Sequence, residues 1–311
     1  MKLQLFLFCI KAVIFLVLLF AIDRIVGVAF VAMKDIGLKK NPENIWLKTP
    51  FAVERVNSDI IIIGSSKASH HYIPQMISDS LHMTVYNCGQ DGCFFLYQNC
   101  IINMLLDRYK PKIIIWDIQP SSFINNTAKE YQNIRYLSPY YSENEWANKY
   151  INSESEKMPL KMQSRMFAYN SKILNYLFPL VVGWSKSNTD NGYIPLFNEE
   201  DKYPEKRECK ESNVQYERNN KYLSLLSATL KRCGDKEVVI KLFISPKYAF
   251  ESDIYREVIK DISNVAINNY AHCYNYHSLF SNDSKLFKDV EHLNDNGAKK
   301  YTAFVVSDLK N

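Results

Sequence analysis

The run Asp59-Ile60-Ile61-Ile62-Ile63, ending in Gly64-Ser65-Ser66, constrains this chain more than any other segment. Four consecutive isoleucines are too few for an independent helix and show no polar alternation. They read as a strand buried on both faces, the kind found in parallel sheets covered by helices. The glycine and two hydroxyl residues then mark a sharp exit from the strand's carboxyl edge, with Lys67-Ala68-Ser69 starting a turn or helix.

The pattern recurs downstream. Residues 83–86 read as a second strand, followed by Asn87-Cys88-Gly89-Gln90-Asp91-Gly92, and residues 94–109 carry apolar side chains at helical spacing. Pro111-Lys112 then introduces a strand over 113–118, which completes a βαβ unit. Further on, residues 238–245 read as a strand closed by Pro246, 254–262 as a helix and 271–276 as a last short strand. Alternation of this kind predicts an α/β fold: a three-layer, doubly wound, mainly parallel sheet with ligand chemistry at the strands' carboxyl ends. The domain is expected over 58–311. From about 121 to 222 the alternation stops in a stretch rich in Asn, Ser, Tyr and Lys, too long for a bare loop. It reads as a partly helical insertion over the active face, with an amphipathic or membrane-adjacent patch around 166–184.

The leader from Leu3 to Ile22 is nearly all apolar, the length needed to cross a hydrocarbon core of about 30 Å. Lys11 interrupts it, and Ile25 to Met33 prolongs it after Asp23-Arg24. No clean small-x-small site follows, so residues 1–33 read as an uncleaved anchor contacting the bilayer through 3–22. Residues 34–57 turn polar and contain Pro42 and Pro50, which suits a linker. Arg24, Lys34, Lys39 and Lys40 follow the span and only Lys2 and the amino terminus precede it, a count that favours a cytoplasmic domain.

A formal charge of +5 over 311 residues, with basic side chains scattered among acidic ones, disfavours nucleic acid as a partner. Seven cysteines include no C-x-x-C pair, and no histidines accompany them at zinc-binding intervals. No metal or organic cofactor is called for.

The chemistry rests on two remote segments. Alone, Ser66 would read as a helix cap. Near the C-terminus, however, stands Asp289-Val290-Glu291-His292-Leu293-Asn294, an acid and a histidine three residues apart. A serine hydroxyl becomes a good nucleophile when an imidazole accepts its proton and a carboxylate fixes the imidazole's tautomer. Ser66, His292 and Asp289 supply those three groups. The pair His70-His71 follows Ser66 closely enough to contact a substrate, and Trp116, Trp146 and Trp184 are candidates for stacking on sugar rings.

Gly64-Ser65-Ser66 after one strand, Asn87-x-Gly89-x-x-Gly92 after the next, and Asp289-x-x-His292-Leu293 near the end together resemble the SGNH, or GDSL-like, hydrolase superfamily. The resemblance covers most of 57–311 and implies a flavodoxin-like sheet. It implies Ser66 as nucleophile, His292 as general base and Asp289 as orienting acid, with the amides of Ser66 and Gly89 as oxyanion donors. Where the family's third block has G-x-N-D, this chain has Asp117-Ile118-Gln119-Pro120, so Gln119 stands in for the asparagine donor. The implied function is a serine esterase or O-acyltransferase acting on acyl groups of an exported polysaccharide or cell-envelope glycan, with an extracytoplasmic catalytic domain. The alternative is a catalytically inactive envelope protein of the same fold with a glycan-binding or assembly role.

Overall fold

The computed structural model describes residues 2–124, 131, 133–170, 176–177, 189–199, 202–205, 217–249 and 252–310. Five strands form one parallel sheet: β1 (Ile60–Ile63), β2 (Val85–Asn87), β3 (Ile113–Asp117), β4 (Val239–Ile244) and β5 (His272–Asn275). Their order is β2-β1-β3-β4-β5, the flavodoxin-like winding. Each strand overlaps the run read from sequence, and only β2 runs past it, by one residue, Asn87.

Strand pleating sorts the side chains into two cores. On one face Ile61, Ile63, Ile114, Trp116 and Leu242 join a large cluster with α5 (Phe95–Arg108), α9 (Asn220–Asp235) and α10 (Asp253–Asn268). On the other, Ile60, Ile62, Ile115 and Phe243 pack with α3 (Ser66–His71), α4 (Pro74–Leu81) and the C-terminal α11 (Asp295–Lys310). Both faces of β1 are therefore covered, as a run of isoleucines requires. The chain winds from β1 outward to β2, then crosses back to β3 on β1's other side. This reversal opens a crevice at the carboxyl ends of β1 and β3.

The N-terminal helix α1 (Lys2–Lys40) has 39 residues and a length of about 58 Å. It is the one helix among the described residues long and apolar enough to cross a membrane. Its apolar side chains are largely exposed from Leu3 to Ile22, whereas Gly27, Phe30, Lys34, Gly37 and Leu38 are buried against the domain.

The stretch 34–57, expected as a linker, differs from that expectation. Helix α1 runs through Lys40, and α2 (Lys48–Glu54) packs on α5. Pro50 falls in the first turn of α2, where a missing N–H breaks no helical hydrogen bond. Lys34 pairs with Glu54, and Arg108 donates to the carbonyls of Ala52, Val53 and Val56. The polar residues serve side-chain pairing within the fold, which composition alone does not distinguish from solvation.

The insertion is partly helical, with α6 (Glu145–Asn152), α7 (Met158–Lys161) and α8 (Arg165–Tyr169). These helices lie against α5 and α1 rather than over the crevice. A later part, 189–199, does reach the crevice, where Ile194 N–H donates to Ser69 O and Asp295 N–H to Leu196 O. Residues 171–175 and 178–188, including Trp184 and much of the 166–184 patch, lie outside the described residues.

Gly64 is required by close approach. A Cβ there would sit 2.5 Å from the Ala68 Cβ and 2.9 Å from the Asp117 Cβ, neither of which can swing aside. Gly234, inside α9, has nothing within 4 Å. Gly64→Ala is expected to lower unfolding free energy by about 1–3 kcal/mol through overpacking. Gly234→Ala should raise it by up to about 1 kcal/mol through helix propensity. Chemical denaturation of the two variants in detergent checks both signs.

Candidate functional site

Ser66 is the first residue of α3, at the carboxyl end of β1 and beside the crevice. Every other residue of α3 is buried, while Ser66 is half-buried. Its Oγ lies 2.7 Å from His292 Nε2. His292 Nδ1 lies 3.0 Å from both oxygens of Asp289. With Nδ1–H donated to the carboxylate, Nε2 carries its lone pair toward Ser66 and accepts from the hydroxyl. The three residues singled out from sequence are thus contiguous in space, in nucleophile–base–acid order.

The acid–histidine loop is built for this arrangement. Phe287 and Leu293 form an isolated antiparallel bridge, and Lys288 N–H donates to His292 O, which turns residues 288–292 into a tight lobe. Asp289 Oδ1 also accepts the backbone N–H groups of Glu291 and His292 at 2.8 and 2.9 Å. Burial raises the Asp289 pKa, but the bonds from the His292 ring and from these amides outweigh it, so the carboxyl ends at about 2. It is an anion throughout the neutral range.

Three side chains hold this loop in place: His71, read from sequence as a substrate contact, and Lys67, both from the helix that begins at Ser66, and Lys247 from beyond β4. His71 Nε2 accepts the Leu293 N–H at 2.9 Å, and burial holds its pKa well below the ordinary value, so the ring stays neutral. Lys67, next to Ser66, lies 3.7 Å from Glu291, which sits between Asp289 and His292. Lys247 approaches the same carboxylate at 2.5 Å. Burial raises the Glu291 pKa, and the two ammonium groups more than reverse that. Sequence offered one signal for these contacts, the adjacency of Lys67 and His71 to the serine. Which loop they would grip could not be read.

His70 is also structural here. Its Nδ1 donates to Ile194 O at 2.7 Å and its Nε2 lies 3.3 Å from Asp91. Trp116 is fully buried, stacked on Phe95 and donating to Gln98. Trp146 donates to Asp107 and lies under Arg232.

The expected oxyanion donors divide. The Ser66 amide is at a helix start, where N–H groups have no intrahelical acceptor. Gln119 brings its carboxamide from β3 to Ser65, whose Oγ donates to Oε1 at 3.4 Å. The Gly89 amide, by contrast, donates to Asn87 Oδ1 at 2.9 Å. Asn87 is fully buried and its Nδ2 donates to Ala68 O and Tyr72 O at 2.6 and 3.1 Å. Its carboxamide reaches back to satisfy the Gly89 amide, so that glycine acts here in close packing: a Cβ on it would meet Ser69 N at 2.5 Å.

A cavity of about 210 Å³ is lined by Trp46, Lys48, Ser69, Gln90, Asp91 and Tyr136, among others. Lys48 is fully buried, donates to Gly192 O at 2.7 Å, and burial pulls its pKa down to about 8. A second opening of about 480 Å³ borders Asp289 with Tyr203 and Lys288. Among the described residues no cluster of His, Cys, Asp and Glu is arranged to hold a metal ion.

No family model matches the chain, and no curated protein does. Among solved structures, a gut microbial diltiazem-metabolizing enzyme is similar with a TM-score of 0.40 at 9% identity, covering 80% of this chain and 46% of that one. An active-site mutant of a family two carbohydrate esterase from Clostridium thermocellum is similar with a TM-score of 0.37 at 7% identity, covering 81% and 63%. This chain thus spans less than two thirds of the length of either. At these scores the likeness carries no argument about chemistry.

Beneath the site, Asp117 accepts the Tyr72 hydroxyl at 2.6 Å, and burial pushes its carboxyl up to about 6. Because the folded value exceeds the unfolded one of 3.8, the folded state holds this proton more tightly. Asp117 therefore removes stability as pH rises from about 4 through 6. Asp117→Asn is expected to flatten that part of the stability profile, measured as denaturation midpoints between pH 4 and pH 8.

Proposed function

We propose that this protein is a membrane-anchored serine esterase or O-acyltransferase of the SGNH type, acting on acyl groups of an exported or cell-envelope glycan. The observation that carries the reading is the Ser66–His292–Asp289 chain of contacts, at 2.7 and 3.0 Å. Ser66 Oγ attacks the ester carbonyl while its proton passes to His292 Nε2, and Asp289 stabilises the imidazolium without taking a proton. The negative charge on the carbonyl oxygen is held by the Ser66 N–H together with the Gln119 carboxamide. Collapse expels the alcohol, which takes the proton from His292, and leaves an acyl-serine. Water or a sugar hydroxyl then attacks the acyl-serine with His292 again as base.

A glycan substrate is supported by the surroundings. The cavity lined by Trp46, Tyr136, Gln90 and Asp91 combines aromatic faces with polar groups, the chemistry that suits a sugar ring. Helix α1 supplies the anchor, through residues 3–22, and the catalytic domain is assigned to the extracytoplasmic side by the family resemblance. Bond formation between Gly89 N–H and Asn87 favours one second reading, a binding protein of the same fold whose oxyanion site is incomplete.

Two variants separate these readings in a short-chain aryl ester assay, with an acylated glycan and a free glycan acceptor as second substrates. Ser66→Ala should abolish turnover of every ester that the unmodified chain cleaves. Gln119→Ala should lower kcat by about 10²–10³ with KM little changed, the cost of losing one oxyanion donor. Absence of both hydrolysis and transfer in the unmodified chain would decide for the binding protein.

A further inference from the structure

We infer that α7, α8 and the turn between them form a foot that rests on the bilayer surface, with Leu160 and Met166 entering the headgroup region of an anionic membrane. The inference rests on the reading of α1 as a membrane span and adds a second contact between the domain and the lipid.

The apolar run of α1 ends at Ile22, and the next two residues are tied to the foot. Asp23 accepts the Ser164 hydroxyl at 2.5 Å, the Arg165 N–H at 2.9 Å and the Met166 N–H at 2.9 Å. Arg24 donates to Gln163 O at 2.7 Å. One turn further, Gly27 lets the helix approach Arg165 so closely that a Cβ would lie 2.7 Å from the Arg165 Cβ, and Phe30 stacks on Tyr169 at 5.6 Å. The foot is therefore held at the depth where the helix passes from hydrocarbon to water. A segment bolted there lies against the interface whichever side the domain faces.

Its surface chemistry fits that position. Leu160 is 79% exposed and Met166 43%. Lys157, Lys161 and Arg165 flank them in sequence against one exposed acid, Glu156, and the neighbouring Glu154 is already paired with Arg135. Exposed apolar side chains flanked by a net excess of cations are the pattern of an interfacial segment drawn to anionic headgroups. Ile25 and Val28, 69% and 70% exposed on α1 itself, continue the apolar surface past Asp23.

The test uses the full-length chain with Cys9 and Cys209 replaced by serine, reconstituted in phosphatidylcholine bilayers containing phosphatidylglycerol. Spin labels are placed singly at Phe15→Cys in α1, Leu160→Cys in the foot and Tyr270→Cys, fully exposed at the amino end of β5. Collision rates with oxygen, which concentrates in lipid, and with a water-soluble nickel chelate are compared. The expected result is an oxygen-to-nickel ratio severalfold higher at Leu160 than at Tyr270, and higher again at Phe15. A Phe15 label in lipid with Leu160 as open to nickel as Tyr270 would overturn the foot and leave the span standing. Leu160 shielded from both reagents would mean a protein covers it, which also overturns the proposal. Phe15 open to nickel would overturn the span and the foot together.

Discussion

The short helix α3 is the part on which the rest of the site depends. It leaves β1 through a glycine with no room for a side chain, and it is gripped from three directions. Asn87 at the end of β2 binds the carbonyls of Ala68 and Tyr72. Asp117 at the end of β3 binds the Tyr72 hydroxyl. His71 accepts the backbone N–H of Leu293, in the loop that carries Asp289 and His292. With five of its six residues buried, the helix has one side chain left to present to the crevice, that of Ser66. On the proposed reading, a hydroxyl held this way would need little reorganisation before meeting an acyl group, which is what positioning contributes to a rate.

The polar groups under the site would be costly if unpaired, and most are arranged in complementary sets. Lys67 and Lys247 converge on Glu291, and Tyr301, Tyr72 and Asp117 form a chain of hydroxyls ending on a carboxyl. One exception is His71, whose Nδ1 is buried without a hydrogen-bond partner among the described residues. Keeping that ring neutral is the less costly state, because burial disfavours its charged form and the Lys67 ammonium nearby opposes a second cation. The Lys67–Glu291 contact is longer than a hydrogen-bonded pair, so it acts by charge, steering the loop toward Ser66 rather than clamping it.

The architecture was legible because the sequence signals were strong and local. Four isoleucines demanded cover on both faces, and the glycine turns after β1 and β2 placed the helix starts. The Ser66, His292 and Asp289 contacts were legible for a different reason: three residue types whose chemistry is interdependent occurred at a strand end and in one loop, and the structure brings them within hydrogen-bond distance. What escaped was long-range pairing. Pro50 and the lysines of 34–57 look the same in a linker as in a packed helix, since a first-turn proline and a buried lysine leave no mark on composition. Gly89 was read as an amide donor from its place in a motif, yet Asn87, two residues earlier, turns its own side chain onto that amide. The decisive contact is a side-chain rotamer, below the level at which sequence spacing speaks.

The Gly89 geometry also bears on how an oxyanion would be held here. An amide pointed at a carbonyl-type oxygen is already satisfied, and moving it to a substrate would leave Asn87 Oδ1 buried without its donor, at about 1–3 kcal/mol. That cost would be charged against transition-state binding. A site that relies instead on the Ser66 N–H and a side-chain amide from β3 avoids it, because neither requires the β2 turn to rearrange. On the proposed reading, with the Gly89 amide committed to Asn87, the Gln119 carboxamide is the side-chain donor left to meet the developing charge. The same Asn87 carboxamide thus both holds α3 and occupies the Gly89 amide, so rigidity beneath Ser66 and the loss of a free donor at the β2 turn are two consequences of one buried side chain.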